Sequence, residues 1–123
     1  MKIEKYVPKG REILSFIIDT AIYEMKQEKG TARNQFLISS NSFTISLIKE
    51  EISNKHCIAC SENSFVVDWK EGKKSFAISI SFNEEVCCEE NVIKIYYILI
   101  DGTQVYKYAS HDPEKVLIFK FKV

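Results

Sequence analysis

The sequence predicts an α+β fold: an N-terminal helix packed on a curled antiparallel meander sheet of six to seven strands. Three observations carry this. Apolar residues between Gly10 and Gly30 recur at spacings of three and four, the period of a helix. After residue 34 the period drops to two, the period of a strand. Turn signals at Glu71-Gly72 and Asp101-Gly102 divide that region into hairpins.

The helix comes first. Leu14, Ile17, Ile18, Ala21, Ile22 and Met25 make its apolar stripe, and Glu12, Ser15, Asp19 and Lys26 its polar side. Glu12 suits the positive end of the helix dipole, Lys26 and Lys29 the negative end. Pro8 fits a first turn and Gly30 a C-terminal stop. Early strands are expected at residues 35–39, 42–48 and 56–60. The segment "SFAISISF", residues 75–82, alternates with Phe76, Ile78, Ile80 and Phe82 on one side and Ser75, Ala77, Ser79 and Ser81 on the other. Residues 64–70 pair with it through the turn at Glu71-Gly72. That turn sets Phe65 opposite Ile78, Val67 opposite Phe76 and Trp69 opposite Lys74. The Asp101-Gly102 turn sets Tyr97 opposite Tyr106 and Ile95 opposite Tyr108. Those four and Leu99 form an apolar face, with Lys94, Tyr96 and Lys107 on the reverse. The last strand, residues 116–123, turns Leu117, Phe119 and Phe121 one way and Lys120 and Lys122 the other.

A sheet of this size twists and curls, so it should wrap around the helix as a partly closed barrel. The order of elements is similar to cystatin-like and helix-grip layouts. The similarity is one of layout.

The chain has 123 residues, of which 46% are hydrophobic and 28% charged. That is one domain, 1–123, long enough to bury roughly two-thirds of the surface its unfolded chain exposes. Seventeen basic residues balance seventeen acidic ones, which argues against a dedicated nucleic-acid binder. Fifteen lysines against two arginines, with abundant isoleucine, suggest an AT-rich genome, that of a low-GC bacterium or its phage. "MKIEKYVPKG" lacks the apolar core of a secretion signal, and "IYYILI", residues 95–100, is too short to span a bilayer. The expected location is therefore cytoplasmic, with reduced cysteines.

The segment "KHCIACSEN", residues 55–63, raises the question of zinc or redox chemistry. Cys57 and Cys60 have metal-ligand spacing, but the second pair, Cys87-Cys88, is adjacent, which metal knuckles seldom use. On a strand Cys57 and Cys60 face opposite sides and do not converge unless "ACSEN" turns sharply. No helix follows Cys60, as a thioredoxin-like motif requires. His56 and Cys57 are neighbours, so a strand separates their side chains. His111 lies in a turn, "ASHDPEK". No metal, cofactor or catalytic residue is expected, and no enzyme activity.

Two surface features remain. "NEEVCCEEN", residues 83–91, carries Glu84, Glu85, Glu89 and Glu90 without a basic residue, and reads as a solvated connection able to steer a basic protein. Lys94, Tyr96 and Lys107, with Lys120 and Lys122, make a lysine–tyrosine sheet face of the kind that also binds single-stranded nucleic acid. The reading is a small protein-binding module: an inhibitor, immunity or anti-defence protein of a bacterial or phage system. The alternative is a small-ligand binder with a pocket between helix and sheet, where Tyr97, Tyr106 and Tyr108 supply hydroxyls. Pairing of strand edges offers a route to a homodimer.

Overall fold

The computed structural model describes residues 2–5, 10–26, 34–38, 45–85, 90–108 and 117–122. Its first unit is β1 (Lys2–Lys5), α1 (Ile13–Lys26) and β2 (Asn34–Ile38), with β1 and β2 adjacent and parallel. Parallel neighbours need a long crossover, and α1 supplies it. Of the stripe expected from the spacing, the helix buries Leu14, Ile17, Ile18 and Ala21 and half-buries Ile22; the Met25 side chain lies outside the described ones. It starts at Ile13, later than Pro8 suggested, because Gly10 at φ +80° turns the chain just ahead of it. Pro8 and Gly30 lie outside the described residues.

A second helix, α2 (Ile45–Ser53), occupies the segment expected to be a strand at 42–48. Ile48 and Ile52 are buried one turn apart, and Leu47, just before Ile48, is exposed. That helical phase replaces the two-residue alternation of Ile45 and Leu47. The chain then runs through β3 (His56–Cys60), β4 (Ser64–Glu71), β5 (Lys74–Glu85), β6 (Glu90–Ile100) and β7 (Thr103–Lys107), a five-strand antiparallel meander. β8 (Leu117–Lys122) pairs antiparallel with the first half of β6 and parallel with β2. Where six or seven strands of pure meander were expected, the eight described strands form a mixed sheet in the order β1-β2-β8-β6-β5-β4-β3, with β7 on β6.

The β4–β5 hairpin keeps the expected faces but not the expected pairs. The loop is Gly72-Lys73, so Glu71 meets Lys74, Trp69 meets Phe76, Val67 meets Ile78 and Phe65 meets Ile80. Moving a turn one residue along the chain shifts the pairing by two, and strand faces repeat every two residues. Phe65, Val67, Phe76 and Ile78 therefore still share a side. The β6–β7 turn is Asp101-Gly102 as expected, both residues at positive φ, as a type I′ turn requires.

Both helices pack on one face of the sheet. Leu14, Ile17, Ile18, Ile48 and Ile52 meet Val67, Ile78, Ile80, Ile93, Ile95, Ile98, Tyr106 and Phe119 in a single core. Burying each such side chain contributes about 1.5–3 kcal/mol. The opposite face, called outer below, carries Val66, Asp68, Ala77, Ser79, Lys94 and Tyr97.

Candidate functional site

The outer face owes its shape to a bulge in β6. Ser79 pairs with Tyr97 and Ile80 with Ile95, which leaves Tyr96 as an extra residue. The insertion reverses the alternation, so Ile93 and Ile95 reach the core before the bulge and Ile98 after it. Tyr97 is thereby moved from the core face, where simple alternation put it, to the outer face beside Ser79. A second bulge at Val105 brings Tyr106 opposite Ile98, not Tyr97.

Tyr96 is the centre of a small cluster. Its carbonyl accepts a hydrogen bond from the Tyr108 N–H at 2.7 Å. The two rings meet edge to face with centroids 6.1 Å apart. The Lys94 Nζ sits 4.1 Å from the Tyr108 centroid and 5.5 Å from that of Tyr96, within cation–π range of both. Ser81 Oγ donates to the Tyr96 hydroxyl at 3.2 Å and fixes that ring from below. Tyr96 remains 38% exposed. Lys107 is exposed on the same face, in register with Tyr97.

Of the residues singled out from sequence, Lys94 and Tyr96 thus touch and Lys107 shares their face. Tyr108, assigned to the core face from simple alternation, belongs to the cluster instead. Tyr97, Tyr106 and Tyr108 do not line one cavity, since Tyr106 is buried in the core and the other two lie outside it. Between α1 and β4–β5, Arg11, Ser15, Trp69, Glu71 and Phe76 border a space of about 40 Å³, enough for water and far below the size of an organic ligand site.

The acidic segment is less of a loop than expected. Asn83–Glu85 extend β5 and Glu90–Asn91 open β6, with Glu84 opposite Asn91 and Glu85 opposite Glu90. Strand pairing continues past the point where carboxylate repulsion suggested a solvated connection. Asn91 is 7% exposed, and among the described residues its Oδ1 has no hydrogen-bond partner. Glu89, Cys87 and Cys88, like His111, lie outside the described residues.

In the edge strand β3, Cys57 and Cys60 are joined in a disulfide. This overturns the expectation of separated, reduced thiols. A bulge at Ile58 puts Cys57 opposite Val67 and Cys60 opposite Phe65, so both fall on one face. His56 turns to the outer face, its Nδ1 2.7 Å from Asp68 Oδ1. It borders an open groove of about 470 Å³ with Lys55, Asp68, Trp69 and Lys70. Among the described residues no three His, Cys, Asp or Glu side chains are gathered as a metal site, and no helix is long and apolar enough to cross a membrane. Compared with protein-family models, curated proteins and solved structures, the chain matches none.

Proposed function

We propose that this protein works by binding another protein, with the outer face of the sheet as its interface. The observation that carries the reading is the Tyr96 bulge, which gathers Lys94, Tyr96 and Tyr108 on the face turned away from both helices. Tyrosine is enriched in interfaces because it offers a large rigid area and a hydroxyl together. Here the Tyr96 ring is held by Ser81 and the Tyr108 ring is packed against Tyr96 and Lys94, so less side-chain entropy is left to lose on docking. Lys94 and Lys107 favour a partner that presents carboxylates to this face. Glu84, Glu85, Glu89 and Glu90, in the acidic segment 83–91, are assigned a steering role toward a basic region of the same partner. The lysine- and isoleucine-rich composition points to a low-GC genome; the role we assign is that of an inhibitor, immunity or anti-defence protein of a bacterial or phage system, acting in the cytoplasm. The packing of α1 on one sheet face supports a cystatin-like or helix-grip-like layout.

The test is affinity capture from a low-GC bacterial host, with wild type beside a Lys94→Ala, Tyr96→Ala, Tyr108→Ala variant. A partner held by wild type and lost from the variant, with the variant still unfolding cooperatively, is the expected result. Equal recovery by both proteins would remove this face from the interface.

A further inference from the structure

The disulfide requires the bulge in β3. In a regular strand, residues three apart stand about 10 Å apart on opposite faces, whereas a disulfide joins Cα atoms no more than about 7 Å apart. Cys57 and Cys60 are 6.1 Å apart because Ile58 drops out of the ladder. All five residues of β3 are exposed, and among the described strands β3 ends the sheet with β4 as its one neighbour. An incoming thiolate has open access, the condition for exchange.

We propose that Cys57–Cys60 is a thiol–disulfide exchange site, open to a dithiol reductant, whose oxidation state sets the register of β3. A thiolate of the reductant attacks one protein sulfur. The S–S bond breaks, a mixed disulfide forms, and the other cysteine leaves as a thiolate that takes a proton. The reductant's second thiol then displaces the remaining cysteine. The protein gains two electrons and two thiols, and the reductant leaves as a disulfide.

Reduction removes the tie that holds Ile58 out of the ladder. The upper end of β3 stays in place through the His56–Asp68 pair, and the loop is held on the β4 side by the Phe82 N–H to Asn63 carbonyl bond of 2.8 Å. Between these points β3 closes into a regular ladder: Ile58 opposite Val66, Ala59 opposite Phe65, Cys60 opposite Ser64. The change gives up the Ser61 N–H to Ser64 carbonyl bond of 2.9 Å. It gains a continuous ladder and lays Ile58, now 55% exposed, beside half-buried Val66 on the outer face. The slip turns Ala59 and Cys60 to the opposite side, as one-residue slips do. This inference does not depend on the protein-binding reading.

The experiment compares oxidised protein, protein reduced with dithiothreitol, and a Cys57→Ser, Cys60→Ser variant. Alkylation and peptide mass mapping follow the two thiols, and cross-strand NOEs follow the register. Protection of both cysteines before reduction, with Val66 contacting Ala59 when oxidised and Ile58 when reduced, is the expected result. The serine variant should show the Ile58 contact without reductant, which separates the effect from Cys87 and Cys88. Full alkylation of Cys57 and Cys60 in air-oxidised protein overturns the exchange site. Ala59–Val66 contacts that persist in both the reduced protein and the variant overturn the register switch.

Discussion

Glu51 Oε1 accepts a hydrogen bond from the Ile13 backbone N–H at 2.7 Å, which ties α2 to the first turn of α1. The other carboxylate oxygen takes the Leu14 N–H at 3.0 Å. One side chain thus satisfies two of the donors that every helix start leaves open, from the negative charge that the helix dipole favours there. Burial still wins: desolvation raises the Glu51 pKa above its ordinary value, against the lowering effect of both hydrogen bonds. A raised folded pKa means that the folded state holds the proton more tightly than the unfolded one. This contribution to stability is complete below the ordinary glutamate pKa, about 4.3, and is lost as pH rises through the raised value. Glu51→Gln removes it. Urea melts from pH 4 to 7 should show the advantage of wild type over Glu51→Gln shrinking as pH rises; a widening gap refutes the assignment.

The β4–β5 register makes a paired prediction. Ile78 is buried against Val67, and its neighbour Ser79 faces outward beside Tyr97. Ile78→Ala should cost about 2–5 kcal/mol, and Ser79→Ala no more than about 0.5 kcal/mol. Similar losses in denaturant melts would mean that the faces are misassigned.

Two lysines beside aromatic rings should behave differently. The Lys55 side chain is 9% exposed, with Nζ 2.9 Å from Glu12 Oε2 and 4.9 Å from the Trp69 centroid. Its stem is packed, so Lys55→Ala should cost about 1–3 kcal/mol from lost contact and a lost charged hydrogen bond. Lys94 lies over its tyrosines on the outer face, where a cation–π contact contributes about 0.5–1 kcal/mol. Lys94→Ala should therefore cost about 1 kcal/mol or less. Thermal melts of the two variants decide it.

Asn91 offers a substitution that should not hurt. Among the described residues no donor meets this buried amide oxygen, so its desolvation is uncompensated. Asn91→Val should leave stability unchanged or raise it by about 1 kcal/mol. A loss above about 1 kcal/mol in urea melts would show that the amide is holding the β5–β6 hairpin.

The sequence by itself determined the α1 stripe, the strand character of the region from 56 onward, the Asp101-Gly102 turn and the shared face of Phe65, Val67, Phe76 and Ile78. Each of these rests on a local period or on one turn, and neighbours in the chain are enough to express it. It also singled out Lys94 and Tyr96. Only the tertiary structure decided the rest. Residues 42–48 alternate at Phe43, Ile45 and Leu47, while Ile45, Ile48 and Ile52 keep helical spacing, and the choice of helix came from what Ile48 and Ile52 find when α2 lies beside α1. Parallel pairing of β1, β2 and β8 joins segments far apart in sequence, about which no local pattern speaks. Three bulges, at Ile58, Tyr96 and Val105, then reversed the alternation from which faces were read. They brought Cys57 to Cys60, moved Tyr97 outward and set Tyr108 against Tyr96. A bulge depends on how one strand fits the curvature and hydrogen bonding of its neighbour, so its position is a property of the sheet and is absent from either strand alone.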